Sequence, residues 1–166
     1  LYNKGYRNFL FFVNSTNIIE KTRENFLNPN SSKYLFNEKI MFGYNEFKIN
    51  EVNNFQTSNN DAINIKFTTI QGLHSYMNIP RENKLTYEDF KDTKIVIISD
   101  EAHHINAWTK NRLNKTEILE KNTWEYTVNK IVNSNSENMM LEYTATVDLN
   151  NPSIYEKYQH KMIYEY

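Results

Sequence analysis

Cysteine is absent from the 166 residues. That excludes disulfides, a thiolate nucleophile and any Cys-ligated zinc or iron–sulfur centre. Glycine and proline are scarce, with 3 of each, which excludes collagen-like and Pro/Gly-rich low-complexity chains. An excess of one charge is also lacking: 19 basic against 20 acidic side chains leave a formal net charge of -1. Such a balance advertises neither a nucleic-acid nor a membrane partner, although a local patch on a neutral domain suffices for nucleic acid. No apolar run approaches the roughly 18–20 residues that a membrane-spanning helix needs. The start, Leu1-Tyr2-Asn3-Lys4, is polar, without a signal-peptide pattern or an initiator methionine, so the chain reads as a piece cut from a longer protein.

What is present is aromatic and apolar. Aromatic residues make up 14% and hydrophobic residues 39% of the chain, too much for a disordered segment. The length suits one domain with a sizeable core. Three short apolar runs read as strands: Phe9 to Val13, Ile63 to Phe67 and Ile95 to Ile98. Continuous runs of this kind suit strands buried on both faces, the mark of a parallel sheet covered by helices. Helical patterns fall between and after them, at Ile18 to Phe26, Gln71 to Met77, Tyr87 to Phe90 (a short turn), Asn122 to Asn133 and Ile154 to Tyr158. Within the fourth, Trp124, Val128, Ile131 and Val132 share helical spacing. Met139 to Tyr143 and Met162 to Tyr166 complete the expected strands. Residues 28–61 are dense in Asn and Ser and read as an excursion or hairpin with one strand at Phe47 to Val52. Strands alternating with helices predict an α/β fold with a mainly parallel central sheet.

The chemically informative string is Lys94-Ile95-Val96-Ile97-Ile98-Ser99-Asp100-Glu101-Ala102-His103-His104. A buried apolar strand runs directly into two adjacent carboxylates. Ligands of parallel sheets bind at the carboxyl ends of strands. An aspartate there can hold Mg²⁺, directly or through water, because a hard dication favours oxygen ligands. The neighbouring glutamate can orient and deprotonate a water that attacks a phosphoryl group. An acidic turn after an apolar strand is common by itself; the whole string is far more specific.

Asp100-Glu101-Ala102-His103 resembles the DEAH form of motif II in superfamily 2 helicases and translocases, and the longer string through Ala107 resembles the Res subunit of type III restriction enzymes. Three other stretches fall in that family's order. Phe11 to Thr22 (FFVNSTNIIEKT) resembles motif Ia, Phe67 to Leu73 (FTTIQGL) resembles the segment near motif Ib, and Tyr143-Thr144-Ala145-Thr146 resembles motif III. The resemblance implies a three-layer RecA-like domain of the P-loop NTPase type, truncated at its N-terminal edge. Residues 1–166 would be part of the first motor domain, from motif Ia to motif III, with no second domain in this chain.

The same resemblance implies roles. Asp100 would ligate Mg²⁺ through water, Glu101 would activate the hydrolytic water, and His103 would couple the nucleotide site to the second motor domain or to motif III. Thr144 and Thr146 would relay between hydrolysis and the nucleic-acid track. Ser15, Thr16, Thr68 and Thr69 would face the DNA backbone, where hydroxyls and loop N–H groups make contacts that carry no sequence information. The parent would use ATP and Mg²⁺, act on double-stranded DNA in the bacterial cytoplasm, and partner a modification (methyltransferase) subunit. One element departs from the pattern. The phosphate-binding loop needs glycines beside a Gly-Lys pair, and Gly5, Gly43 and Gly72 supply none. Motif I is expected upstream of Lys4 and the second RecA-like domain downstream. The isolated chain is therefore expected to bind neither ATP nor Mg²⁺ and to show no ATPase.

Rival readings are weaker. Glu101, His103 and His104 with His74 or His160 could hold zinc, but adjacent histidines diverge on any regular element, unlike the i, i+4 pair of zinc proteases. Ser99 lacks a Gly-x-Ser-x-Gly elbow. Tyr2, Tyr6, Phe9, Phe11 and Phe12 could stack on bases, yet most of them alternate into a strand and suit a core. Lys110, Arg112 and Lys115 could form a phosphate patch or a solvated face. Two alternatives of function stay open: a stand-alone superfamily 2 helicase fragment, or a non-catalytic nucleic-acid-binding or interaction module derived from one.

Overall fold

The computed structural model describes residues 1–36, 39–56, 58–79, 81–100, 115–144 and 150–160. After a 3-10 turn at Tyr2–Lys4 come β1 (Asn8–Val13), α1 (Thr16–Leu27), β2 (Ile40–Phe42), β3 (Asn45–Phe47), β4 (Ile49–Glu51) and β5 (Ile63–Thr69). Then follow α2 (Ile70–Asn78), α3 (Tyr87–Asp92), β6 (Ile95–Ser99), α4 (Lys115–Val132), β7 (Met139–Glu142) and α5 (Pro152–Tyr158). Five strands form one sheet in the order β4-β5-β1-β6-β7, and each neighbouring pair runs parallel. β2 and β3 form a separate antiparallel hairpin. The mainly parallel α/β architecture expected from the runs is therefore the one observed.

β1 is the axis of the sheet because its apolar residues serve both faces. Leu10 and Phe12, fully buried, meet Ile95 and Ile97 of β6, Leu73 and Met77 of α2, Phe90 of α3, and Val128 and Ile131 of α4. Phe11 and Val13 turn the other way, onto Ile65 and Phe67 of β5 and Ile19 of α1. Helices thus cover the sheet on two sides, giving three layers. Burying each such side chain contributes about 1.5–3 kcal/mol. A one-residue slip of β1 would exchange its two sets of contacts, so packing fixes the register. The aromatic residues offered above as base-stacking candidates lie in this scaffold: Phe11, Phe12 and Tyr6 are buried, and Tyr2 stacks on Phe42 at 4.9 Å between ring centroids.

Polar side chains place the connections. Asp89, buried in α3, accepts the Phe55 N–H at 2.7 Å and the Thr86 N–H at 2.8 Å, joining the loop before β5 to the start of α3. Asn138 accepts the Ile95 N–H at 3.0 Å while its amide donates to the carbonyls of Phe90 (2.9 Å) and Ile131 (3.2 Å). One side chain thereby ties the ends of α3 and α4 to the start of β6.

Two expectations need correction. The single strand read over Phe47 to Val52 divides at Lys48. Phe47 pairs antiparallel with Ile40 in the hairpin, whereas Ile49–Glu51 pairs parallel with β5. The chain changes sheets there, and its apolar residues serve two partners. The helix read over Asn122 to Asn133 begins earlier, at Lys115. The strand read over Met162 to Tyr166 lies outside the described residues. No helix among the described residues is long and apolar enough to cross a membrane.

Candidate functional site

Because the main sheet is parallel, β1, β5, β6 and β7 all end at one rim. Asp100 follows β6 directly, and its N–H donates to the Phe12 carbonyl at 3.1 Å, which holds it beside the end of β1. On the other side of β6, the Tyr143 N–H donates to the Ser99 carbonyl at 2.8 Å, so Thr144 emerges next to Asp100's strand end. Val13 and Thr69 are register partners at the ends of β1 and β5. The rim therefore reads, across neighbouring strands, Thr69, then Asn14-Ser15, then Asp100, then Thr144.

Two helices start from this rim. Ser15 is the extended N-cap residue of α1 and makes no side-chain cap bond. Thr16 is the first residue of that helix. Thr69 caps α2, its Oγ1 accepting the Gly72 N–H at 3.1 Å. Helix N-termini offer unpaired N–H groups and the positive end of the helix dipole, which suits an anionic backbone. Thr68 differs from its neighbour. It is buried, and its hydroxyl donates to the Thr69 carbonyl at 3.2 Å. The threonine pair read from sequence as two backbone-facing hydroxyls is thus one capping oxygen and one packed side chain. Gly72 explains the packing: a Cβ there would sit 2.7 Å from Thr68 Oγ1 and 3.2 Å from Thr69 Oγ1. Gln71 Nε2 donates to Asn14 Oδ1 at 2.5 Å and joins the two helix starts. Sequence reasoning assigned no functional role to Gln71 or Gly72, although both sit inside the quoted FTTIQGL stretch.

Glu101, His103, His104, Lys110, Arg112 and Thr146 lie outside the described residues. Of the remaining histidines, His74 is half-buried, its Nδ1 2.8 Å from Thr127 Oγ1, and His160 is exposed. Ser99, fully buried, has a hydroxyl without a hydrogen-bond partner among the described residues. On β5, Lys66 lies two residues before Thr68 on the same face, buried, with Nζ donating to Asn53 Oδ1 at 3.3 Å. Burial lowers its pKa from the usual 10.5; Lys84 acts in the same direction and Glu51 against it. Two surface depressions lie elsewhere, one along Glu20, Lys21, Glu24, Asn25 and Lys33, the other beside Phe26, Tyr34 and Phe47. The first is lined by charged and amide side chains of α1 together with Lys33, away from the strand ends that form the rim.

The donor chemistry at the rim fits half of a nucleotide site. Asp100 brings hard carboxylate oxygens to the end of a buried parallel strand, as Mg²⁺ requires. The grip on a triphosphate has no counterpart in these residues: none of Gly5, Gly43 and Gly72 precedes a lysine.

A parallel sheet between helical layers, with Asp100 and two helix N-termini at its carboxyl rim, is consistent with a RecA-like α/β domain. Comparison with known proteins narrows the class. The family model for "Type III restriction enzyme, res subunit" matches residues 1–149. The "Probable type III restriction-modification enzyme HindVIP Res subunit" of Haemophilus influenzae (strain ATCC 51907 / DSM 11121 / KW20 / Rd) is 41% identical over 180 aligned positions. That alignment covers 98% of this chain and 34% of the relative, so the chain spans about a third of the relative's length. No solved structure gives a significant match. The chain belongs to the family of type III restriction enzyme Res subunits.

Proposed function

We propose that residues 1–166 are the motif Ia to motif III portion of the first motor domain of an ATP-driven DNA translocase, acting as the Res subunit of a type III restriction system. The observation that carries this reading is the pairing of Asp100 with the ends of β1 and β7: its N–H is bound to Phe12, and its strand is bound to Tyr143, one residue before Thr144. A carboxylate and a motif III threonine thus share one rim with two helix N-termini.

Bound Mg·ATP supplies the scissile phosphoanhydride and a cation that offsets developing negative charge. Asp100 holds the cation, directly or through water. Glu101, next in the chain, takes a proton from the attacking water. His103 connects this centre to a second RecA-like domain or to motif III, and Thr144 and Thr146 pass the change in occupancy toward the DNA-facing turns. Ser15, Thr16 and Thr69 meet the phosphate backbone through hydroxyls and helix N-terminal N–H groups, with Thr68 packed beneath them. Such contacts carry no sequence information, which suits a motor that steps along any duplex. Sequence recognition falls to a modification (methyltransferase) subunit, in the bacterial cytoplasm.

The test is ATP hydrolysis by the full-length protein with its modification partner, with and without duplex DNA. Turnover should rise with DNA and require Mg²⁺. Asp100→Asn should lower the maximal rate by about 10²–10³, the usual loss when a charge-stabilising group is removed. DNA-independent turnover would remove the translocase reading, and an unaffected Asp100→Asn variant would remove Asp100 from the metal.

A further inference from the structure

Among the described residues, one side-chain hydrogen bond joins the β1–α1 turn to the β5–α2 turn: Gln71 Nε2 to Asn14 Oδ1, 2.5 Å, between residues 57 apart in sequence. Its position is informative. The ladder between β1 and β5 ends at the pair Val13 and Thr69. Asn14 is the next residue beyond that pair on one strand, and Gln71 lies two beyond it on the other. From there the two chains diverge into α1 and α2, which lie on opposite faces of the sheet. Backbone pairing no longer sets the distance between the helix starts, so the amide pair does.

The bond also orders what it leaves over. With Oδ1 turned toward Gln71, the Asn14 amide presents its two Nδ2 donors on the other side. These have no partner among the described residues, nor does the Ser15 hydroxyl in its cap position. Both amide side chains are exposed. In water an exposed amide pair adds little to folding, because solvent offers both groups equivalent bonds. Its consequence is geometric.

Resting on the translocase reading, we infer that Asn14 and Gln71 form a clasp that sets the separation of the α1 and α2 N-termini for the DNA backbone. Both are positioning residues for DNA engagement and stand outside the ATP chemistry. Two phosphate-facing helix starts on opposite faces of a sheet can grip one backbone together only if their spacing is held. The clasp holds it, and it forms between side chains that can release without unfolding either helix.

The experiment is DNA-stimulated ATP hydrolysis by the full-length protein, titrated with duplex DNA, for Asn14→Ala, Gln71→Ala and the double variant. Each single variant should raise the half-saturating DNA concentration roughly three- to ten-fold, because bound DNA shields the pair from water and the bond then counts as a protected one. The maximal rate should stay, and thermal melting should superimpose on wild type. The double variant should be no worse than either single one, because the second substitution removes nothing further. Additive losses would mean two independent contacts and overturn the clasp, as would unchanged half-saturation in the single variants or a fall confined to the maximal rate. A wild-type protein indifferent to DNA would instead overturn the underlying reading, so the two failures are distinguishable.

Discussion

Replacing Gly72 by alanine sets two known effects against each other at the rim. In a helix interior, Gly→Ala stabilises by about 1 kcal/mol through propensity. Here the added methyl would stand 2.7 Å from Thr68 Oγ1, well inside contact distance, and 3.2 Å from Thr69 Oγ1. Thr68 is buried in β5 and β-branched, so its χ1 is restricted, and rotating the hydroxyl away breaks its bond to the Thr69 carbonyl and disturbs its packing. Overpacking of this kind costs about 1–3 kcal/mol. Displacing Thr69 also weakens the cap on Gly72 N–H, worth roughly 1 kcal/mol. The sum favours a net loss of about 1–3 kcal/mol. Urea denaturation at unchanged slope should read it as a lowered midpoint. The cause is checked in the Thr68→Ala background, where the crowding atom is gone and Gly72→Ala should approach neutrality or stabilise. A stabilising Gly72→Ala in the wild-type background would refute the reasoning, as would equal losses in both backgrounds.

Asp89→Ala removes the acceptor for the Phe55 and Thr86 N–H groups and the Thr86 hydroxyl, leaving buried donors unpaired. It should cost about 3–5 kcal/mol in the same denaturation measurement; a loss below about 1 kcal/mol would mean that water replaces the carboxylate. Lys66 supplies a pH signature. Its folded pKa lies below 10.5, so between the two values the unfolded chain binds more protons and stability rises with pH. Below the folded pKa the charged group is buried at full cost. Lys66→Met should abolish that alkaline rise, whereas persistence of the rise in the variant would assign it to another group.

The parts of the fold governed by local pattern were legible in the sequence. Ile95 to Ile98 could be read as a doubly covered strand because each residue in it is apolar, and Val128 and Ile131 because helical spacing put them on one face. Other features depend on which strands become neighbours. Thr68 and Thr69 look alike in sequence, and only the register against Phe12 and Val13 sends the first into the α2 side and leaves the second as a cap. The Asn14–Gln71 bond depends on the same register. Asn138 was hidden by abundance: in a chain crowded with asparagine nothing marked the one that joins α3, α4 and β6. Lys48 was obscured because a strand that changes sheets keeps its alternation while changing its partner. At the site, Asp100 was legible because a long apolar strand followed by acid is itself the signal, whereas the flanking of its strand by β1 and β7 is a matter of strand order, which local pattern does not carry.

The most direct measurement is ATP turnover by the full-length protein carrying Glu101→Gln, read beside equilibrium ATP binding. The amide keeps the size and hydrogen-bonding reach of the carboxylate but cannot take a proton from water. Turnover should fall by about 10²–10⁴, the span of a lost general base, while ATP binding and its Mg²⁺ dependence stay at wild-type strength. Hydrolysis at the wild-type rate would contradict the account, because Glu101, next in the chain after Asp100, would then have no part in the chemistry assigned to it.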